Sequence, residues 1–285
     1  HRAARLATAL ASRGGRLGVA VDSAEGIERL AEAMAQSGSD AGMDVLVEID
    51  VGQGRCGVPP GEAAVPLALA VSRSPRLRFA GLQAYHGRAQ HFASAGERRE
   101  AIARTVQQAA HTRDLIEAAG LPVPLVTGSG TGTLVNEAAS GVYGELQAGS
   151  FLFMDADYAR NEREPAQPAF EHALFVKTQV ISVRDSHAVC DAGHKSHAID
   201  SGLPTVGQLS TGRALRYANG GDEHGLLYAE GDKARLPALG RMLWLIPGHC
   251  DPTVNLYDFM IGVRGGLGLG TVERIIRVDA RGALT

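Results

Sequence analysis

The residues of this chain best suited to chemistry stand in a few short stretches. Late in the chain, Met242-Leu-Trp-Leu-Ile-Pro-Gly-His249-Cys250-Asp251-Pro252 sets an imidazole and a carboxylate two positions apart behind an apolar run. Met242 to Ile246 reads as a buried strand, and along an extended chain side chains at i and i+2 share a face. His249 and Asp251 then point the same way, as one nitrogen and one oxygen donor for a divalent metal, with Cys250 facing away as a small filler. Pro247, Gly248 and Pro252 stiffen the bend. The same spacing also suits a plain strand end capped by polar groups, and the rest of the chain favours the metal. Gly128-Ser-Gly-Thr-Gly-Thr133 offers backbone N–H groups and hydroxyls to a phosphate, with a helix start behind it. Asp50-Val-Gly-Gln-Gly-Arg55, Gln83-Ala-Tyr85-His86 with His91 beyond, and Gly149-Ser150 complete the set.

These stretches gain meaning from the elements that carry them. Apolar runs at Leu17–Val21, Val45–Ile49, Phe79–Tyr85, Leu125–Thr127 and Glu145–Phe151 read as five strands. Between them lie helical patterns: one opened by Asp22 or Ser23, one over Pro60–Ser72, and a long one from Ala95 to Ala119 closed by Gly120 and Pro122. Strand–helix alternation at this pitch argues a parallel sheet with helices outside it. Nearly every polar group named above then falls at the C-terminal end of a strand, where a (β/α)8 barrel builds its active site. Near Tyr158 the texture changes. After a Pro/Glu/Arg linker at Asn161–Pro168, short strands separated by Gly, Asp and Asn turns take over: 173–183, 187–192, 225–230, 242–246 and 272–278. The expected architecture is α/β plus β: an α/β barrel domain over residues 1–164, then a mostly β domain over 165–285 that carries the metal pair.

Composition narrows the function classes. The 285 residues carry a formal net charge of −3, with 45% hydrophobic and 21% charged residues, which is ordinary for a globular protein. No basic surface invites nucleic acid or membrane. No apolar run approaches the roughly 18 residues of a membrane span, and no signal peptide opens the chain. Cys56, Cys190 and Cys250 are sparse and odd in number, which fits a reducing cytoplasm better than a disulfide framework.

Asp50-Val-Gly-Gln-Gly-Arg55-Cys-Gly57 resembles the D-T-G-x-x-R-x-G signature of alanine-racemase-like, fold-type III pyridoxal phosphate (PLP) enzymes. Four further motifs are more particular: Gly81 to His91, Val126 to Thr133, Gly144 to Phe151, and Pro-Gly-His249-Cys-Asp251. Together they resemble the D-threonine aldolase and D-serine dehydratase branch, over almost the whole chain. The resemblance implies a PLP-holding barrel, a C-terminal β domain, a metal held by the last motif, and a homodimer. It implies that Arg55 contacts the cofactor ring, that Gln83 and Tyr85 line it, and that Ser129, Gly130, Thr131, Gly149 and Ser150 hold the phosphate. His91 is the implied base for a substrate hydroxyl, and His249 and Asp251 are the implied metal ligands. His86 and His224 are expected to be structural hydrogen-bonders.

Two departures qualify the resemblance. The family's Schiff-base lysine, in an Arg-Pro-His-x-Lys-like motif on the first barrel strand, has no counterpart. The only lysines are Lys177, Lys195 and Lys233. Five strands are also three short of barrel closure, and the chain begins at His1. The expectation is a fragment lacking three β/α units and the lysine, which binds cofactor poorly and catalyses little. Glu48 stands where racemases of this fold often carry lysine, which argues against racemisation.

The implied substrate is a D-3-hydroxy amino acid. Cleavage of its Cα–Cβ bond would give glycine and an aldehyde; the alternative is dehydration, and a non-catalytic PLP-binding role is the remaining reading. A nitrogen–carboxylate pair suits a harder ion such as Mn2+ or Mg2+, with Zn2+ also feasible, whereas the dehydratase branch resembles a softer His-x-Cys pair. Aldol cleavage is therefore the expected reaction.

Overall fold

A computed structural model describes residues 1–207, 215–231 and 235–283. Lys233 lies outside the described residues. The chain divides into two compact units: His1–Gly149 with Asn161–Gln167, and Ser150–Arg160 with Pro168–Thr285.

The first unit is built on five parallel strands in sequence order: β1 (Gly18–Val21), β2 (Met43–Glu48), β3 (Leu77–Gln83), β4 (Val126–Gly128) and β5 (Glu145–Leu146). Helices α1 (Arg2–Ala11), α2 (Ala24–Gln36), α3 (Ala64–Arg73), α4 (Ala95–Ala118) and α5 (Leu134–Ala138) alternate with them. Ser23 caps α2, its hydroxyl accepting from the Gly26 N–H at 3.2 Å, and Ser94 caps α4 in the same way. The period-two pattern of β2 sorts its side chains. Met43, Val45 and Val47 are buried with Ile27, Met34, Leu67, Val71 and Ile116 of the helices. Asp44, Leu46 and Glu48 point to the opposite face and are only half-buried. A register shift between Val45 and Leu46 meets Gly81, whose φ of +133° and closeness to the Leu125 carbonyl leave no room for a Cβ. Residues 161–167 are fastened here by Arg98. That fully buried guanidinium donates to the carbonyls of Phe92, Ala93 and Glu162, beside an Arg99–Glu164 ion pair at 2.8 Å.

The second unit carries a six-stranded antiparallel sheet in the order β8-β11-β6-β7-β10-β9. Its strands are β6 (Val176–Val183), β7 (Ala188–Cys190), β8 (Thr205–Val206), β9 (Leu215–Asn219), β10 (Gly225–Ala229) and β11 (Met242–Ile246). Val176, Val180, Leu215, Tyr217, Leu227, Leu243 and Leu245 form its core. Two short helices, α6 (Ala156–Ala159) and α7 (Cys250–Val254), and a hairpin of β12 (Phe259–Arg264) and β13 (Thr271–Arg277) complete it. Among the described residues no helix is long and apolar enough to cross a membrane.

Candidate active site

In the first unit the strand register creates a polar row. Glu48 pairs with Gln83, Gln83 with Thr127, and Thr127 with Glu145. Paired residues of parallel strands share a face, so these four side chains stand side by side at the C-terminal end of the sheet. They are wired together: Thr127 donates to Glu145 at 2.6 Å, and Gln147 donates to Gln83 at 2.6 Å and to Thr127 at 3.0 Å. Burial pushes the Glu48 carboxyl up, against the opposing pull of the Arg55 guanidinium. Arg55 is exposed, on the loop after β2. That loop is shaped by Asp50, whose Oδ1 accepts from Gly52 and Gly54 at 3.0 and 2.9 Å. These bonds, that from Gly54 foremost, hold the Asp50 carboxyl below its ordinary range.

The glycine-rich loop follows β4 and is buried from Val126 to Thr133. Ser129 adopts φ +70°, which reverses the direction of successive N–H groups. Gln90 braces the loop from below. Its Oε1 accepts from the Gly132 N–H at 3.0 Å and its Nε2 donates to the Thr133 hydroxyl at 2.8 Å. Thr133 in turn donates to Glu137 Oε1 at 2.8 Å. Glu137 is 1% exposed, and the Ser129 hydroxyl also faces its carboxyl. Burial pushes its carboxyl up to about 7, against the opposing bond from Thr133. Tyr85 is half-buried, and His91 is exposed at the end of a 3-10 turn, Arg88–His91. His86 is buried, accepts weakly from the Ala89 N–H, and is pushed down by burial, as suits a structural histidine.

The imidazole–carboxylate pair, His249 and Asp251, belongs to the second unit. β11 ends at Ile246 as the apolar run predicts, but the chain does not stay extended. His249 is the N-cap of α7, and Asp251 lies in that helix's first turn. The strand-like sharing of a face is therefore replaced by a cap geometry, which nevertheless leaves His249 Nε2 and Asp251 Oδ2 3.9 Å apart. Cys250 is buried and burial pushes its thiol up to about 12, so it is a neutral filler. The thiol also meets the hydroxyl of Ser150. Asp155 fastens this corner: its Oδ2 accepts from the Cys250 N–H at 3.0 Å, and the N–H groups of Ala156 and Asp157 donate to Pro247 and Gly248. Sequence reasoning missed Asp200, whose Oδ2 lies 2.6 Å from His249 Nδ1. It also missed Glu145 and Gln147 of the polar row and the buried Glu137. Glu145 and Gln147 lie within the Gly144–Phe151 motif but carried no assigned role there, and Glu137 stands one helical turn after Thr133.

Known proteins resemble both parts of the chain. A family model for the alanine racemase N-terminal domain matches residues 3–157, and one described as "Putative serine dehydratase domain" matches residues 173–263. The chain is 42% identical over 273 residues to a D-threonine aldolase from an Arthrobacter species, covering 95% of this chain and 69% of the relative. It belongs to the alanine racemase-like, fold-type III PLP family. Within that family it is 41% identical over 279 residues to a 3-hydroxy-D-aspartate aldolase of Paracoccus denitrificans (strain Pd 1222), covering 96% of this chain and 69% of the relative. The crystal structure of a D-threonine aldolase from Filomicrobium marinum superposes with a TM-score of 0.89 at 47% identity. It covers 99% of this chain and 72% of the other. Dehydratases of the family are more distant.

For a member of this family the donors present fit PLP. Hydroxyls and amides around the Ser129 reversal suit a phosphate, open space lies over Gly149, and the row from Glu48 to Glu145 offers hydrogen bonds to a polar ring. Neither described lysine belongs to the first unit. Lys177 lies over the Trp244 ring and Lys195 pairs with Asp222 and Glu223, all in the second unit. Among the described residues no group of three or more His, Cys, Asp or Glu could hold a metal. The His249–Asp251 pair fits an open two-ligand site instead. Two donors about 2.1 Å from one ion stand roughly 3.0–3.5 Å apart, so a small turn of the exposed Asp251 side chain closes its 3.9 Å gap onto a shared ion.

Proposed function

We propose that this protein is a PLP-dependent lyase that cleaves D-3-hydroxy amino acids to glycine and an aldehyde by a retro-aldol reaction, assisted by a divalent metal. The observation that carries the reading is the identity of 42% to a D-threonine aldolase along 95% of the chain, together with an imidazole–carboxylate pair at the end of β11.

PLP, when bound, supplies an electron sink for the pair left on Cα, and a divalent ion supplies Lewis acidity to a hydroxyl oxygen. The chain's own residues do the rest. Ser129, Gly130, Thr131, Gly149 and Ser150 bind the phosphate with hydroxyls and backbone N–H groups. Arg55, Gln83 and Tyr85 orient the ring, and Gln83 is itself held by Gln147. His91 takes the proton of the substrate hydroxyl on an imidazole nitrogen. His249 Nε2 and the Asp251 carboxylate hold the ion, with Mn2+ or Mg2+ favoured over Zn2+ by the oxygen donor. Held by these two side chains, the ion would supply its Lewis acidity to substrate oxygens.

With all its lysines assigned to the later part of the sequence, these 285 residues by themselves hold PLP without a Schiff base at the sheet's mouth and turn over slowly. Borohydride reduction of a PLP-loaded sample, followed by peptide mapping, checks this; a stoichiometric label on Lys177, Lys195 or Lys233 overturns it. The reading also carries a cytoplasmic homodimer with it. The three free cysteines fit a reducing compartment, and light scattering tests the dimer. The reaction itself is decided by product analysis. The native protein incubated with D-threonine, PLP and Mn2+ should release acetaldehyde and glycine. Formation of 2-oxobutanoate without aldehyde would establish dehydration in its place.

A further inference from the structure

The His249 imidazole has two nitrogens, and only one can meet a metal shared with Asp251. Nε2 faces Asp251 at 3.9 Å, while Nδ1 lies 2.6 Å from Asp200 Oδ2. Asp200 is in turn engaged by the Ser201 hydroxyl, which donates to the same Oδ2 at 3.0 Å and lies 3.3 Å from His249 Nδ1. A carboxylate accepts hydrogen bonds only, so the short contact requires the proton on Nδ1. The lone pair is then on Nε2, on the side of Asp251.

The loop that bears Asp200 is anchored to the His249 segment at two further points. The Ala198 N–H donates to the Thr253 hydroxyl at 3.0 Å, and that hydroxyl donates to the His249 carbonyl at 2.7 Å. Gly248 lies so close to Gly202 that a Cβ would stand 2.1 Å from the Gly202 carbonyl oxygen. Beneath, Arg160 donates to the Ser201 carbonyl at 2.9 Å while paired with Asp157. Asp200 is about half exposed, and a solvated carboxylate on an unanchored loop would have no reason to hold one imidazole nitrogen. The anchoring gives it one.

We propose that Asp200 is the positioning carboxylate of the metal pair: it fixes His249 in the Nδ1–H tautomer and aims Nε2 at an ion shared with Asp251. This rests on the reading of His249 and Asp251 as metal ligands. Outer carboxylates on ligating histidines set ring orientation and ligand basicity, and their removal weakens metal binding by about 10–100-fold. Asp200 is not a ligand in this assignment, because the oxygen nearest His249 is spent on Nδ1.

The test uses the native protein, Mn2+ as the probe, and the variants Asp200→Ala and Asp200→Asn. Titration calorimetry should show Mn2+ affinity falling about 10–100-fold in D200A, with D200N between it and wild type because an amide oxygen still accepts from Nδ1. Nitrogen NMR of metal-free protein should show His249 as the Nδ1–H tautomer in wild type and shifted toward the Nε2–H form in D200A. A merely structural loop residue would move neither reading while leaving the melting temperature unchanged. Wild-type affinity retained in D200A within twofold, or an Nε2–H tautomer in wild type, would overturn the proposal. If wild type itself takes up no Mn2+, the metal reading fails, and the tautomer still decides the role of Asp200. Should D200A not fold, D200N supplies both measurements.

Discussion

Replacing Glu137 with Gln should change how stability depends on pH, in a direction fixed by burial. The carboxyl is 1% exposed and is met by the hydroxyls of Thr133 and Ser129. Burial disfavours the ionised form and raises it from 4.5 to about 7. A carboxyl raised in the folded state keeps its proton where the unfolded chain has lost it. Its contribution is therefore greatest below about pH 4.5 and fades as pH climbs through about 7. At about 1.4 kcal/mol per pH unit, the loss between pH 5 and pH 8 comes to about 2.5 kcal/mol. Gln cannot ionise, so E137Q should lose none of it. The new amide buries a donor and lowers stability by about 1–3 kcal/mol at every pH, so slope and not level is diagnostic. Urea unfolding from pH 5 to 8, taken as wild type minus variant, isolates the effect. Subtraction is needed because His86 and His197, both pushed down by burial, add stability as pH rises through about 6.5. A difference that is flat within about 0.5 kcal/mol would refute a buried, protonated Glu137.

Other expectations follow from the same structure. His249→Ala and Asp251→Asn should each abolish Mn2+ uptake by calorimetry. Asp251, exposed and outside the core, should do so with a melting temperature near wild type, its stability within about 0.5 kcal/mol. Gly81→Ala places a methyl on the Leu125 carbonyl at a φ of +133°; chemical unfolding should show a loss of at least about 2 kcal/mol. Leu243→Ala opens a cavity in the core of the second unit, where Leu243 is fully buried, and should lower stability by about 2–5 kcal/mol. Gln147→Ala removes the bonds that hold Gln83 and Thr127, and should weaken PLP binding, read by tryptophan fluorescence quenching, without altering Mn2+ affinity.

How much of this was legible in the residues depends on the range over which each signal acts. The strands and long helices of the first unit follow from periodicity, because burial on one face repeats every two residues or every 3.6. The five-stranded parallel order follows from their alternation. In the second unit β8, β9 and β12 give no clear sequence signal, since strands of a small β sheet are short and their alternation is masked by neighbouring turns. The turn into α7 was misjudged for a definable reason. Cys250-Asp251-Pro252 is a helix start, where proline lacks only an N–H that would be orphaned and an acidic residue meets the helix dipole. The i, i+2 argument thus expected His249 and Asp251 side by side, as they are, but through an extended chain rather than a helix cap.

What no local pattern could show is the set of partners that the fold brings to those residues. Glu48, Gln83, Thr127 and Glu145 are separated by tens of residues and become neighbours only because parallel strands put their C-terminal ends in register. Asp200 sits 49 residues from His249, in a stretch whose Ser and Gly read as an ordinary turn. A motif reports groups that must be adjacent in the chain to share a ligand; groups that orient them are free to come from anywhere, and their types alone do not mark them. The consequence is specific here. On the proposed reading His-x-Asp supplies the donors, but which imidazole nitrogen faces the ion is decided by the residue facing the other nitrogen, and that residue is visible only once Gly248 and Gly202 have been packed backbone to backbone.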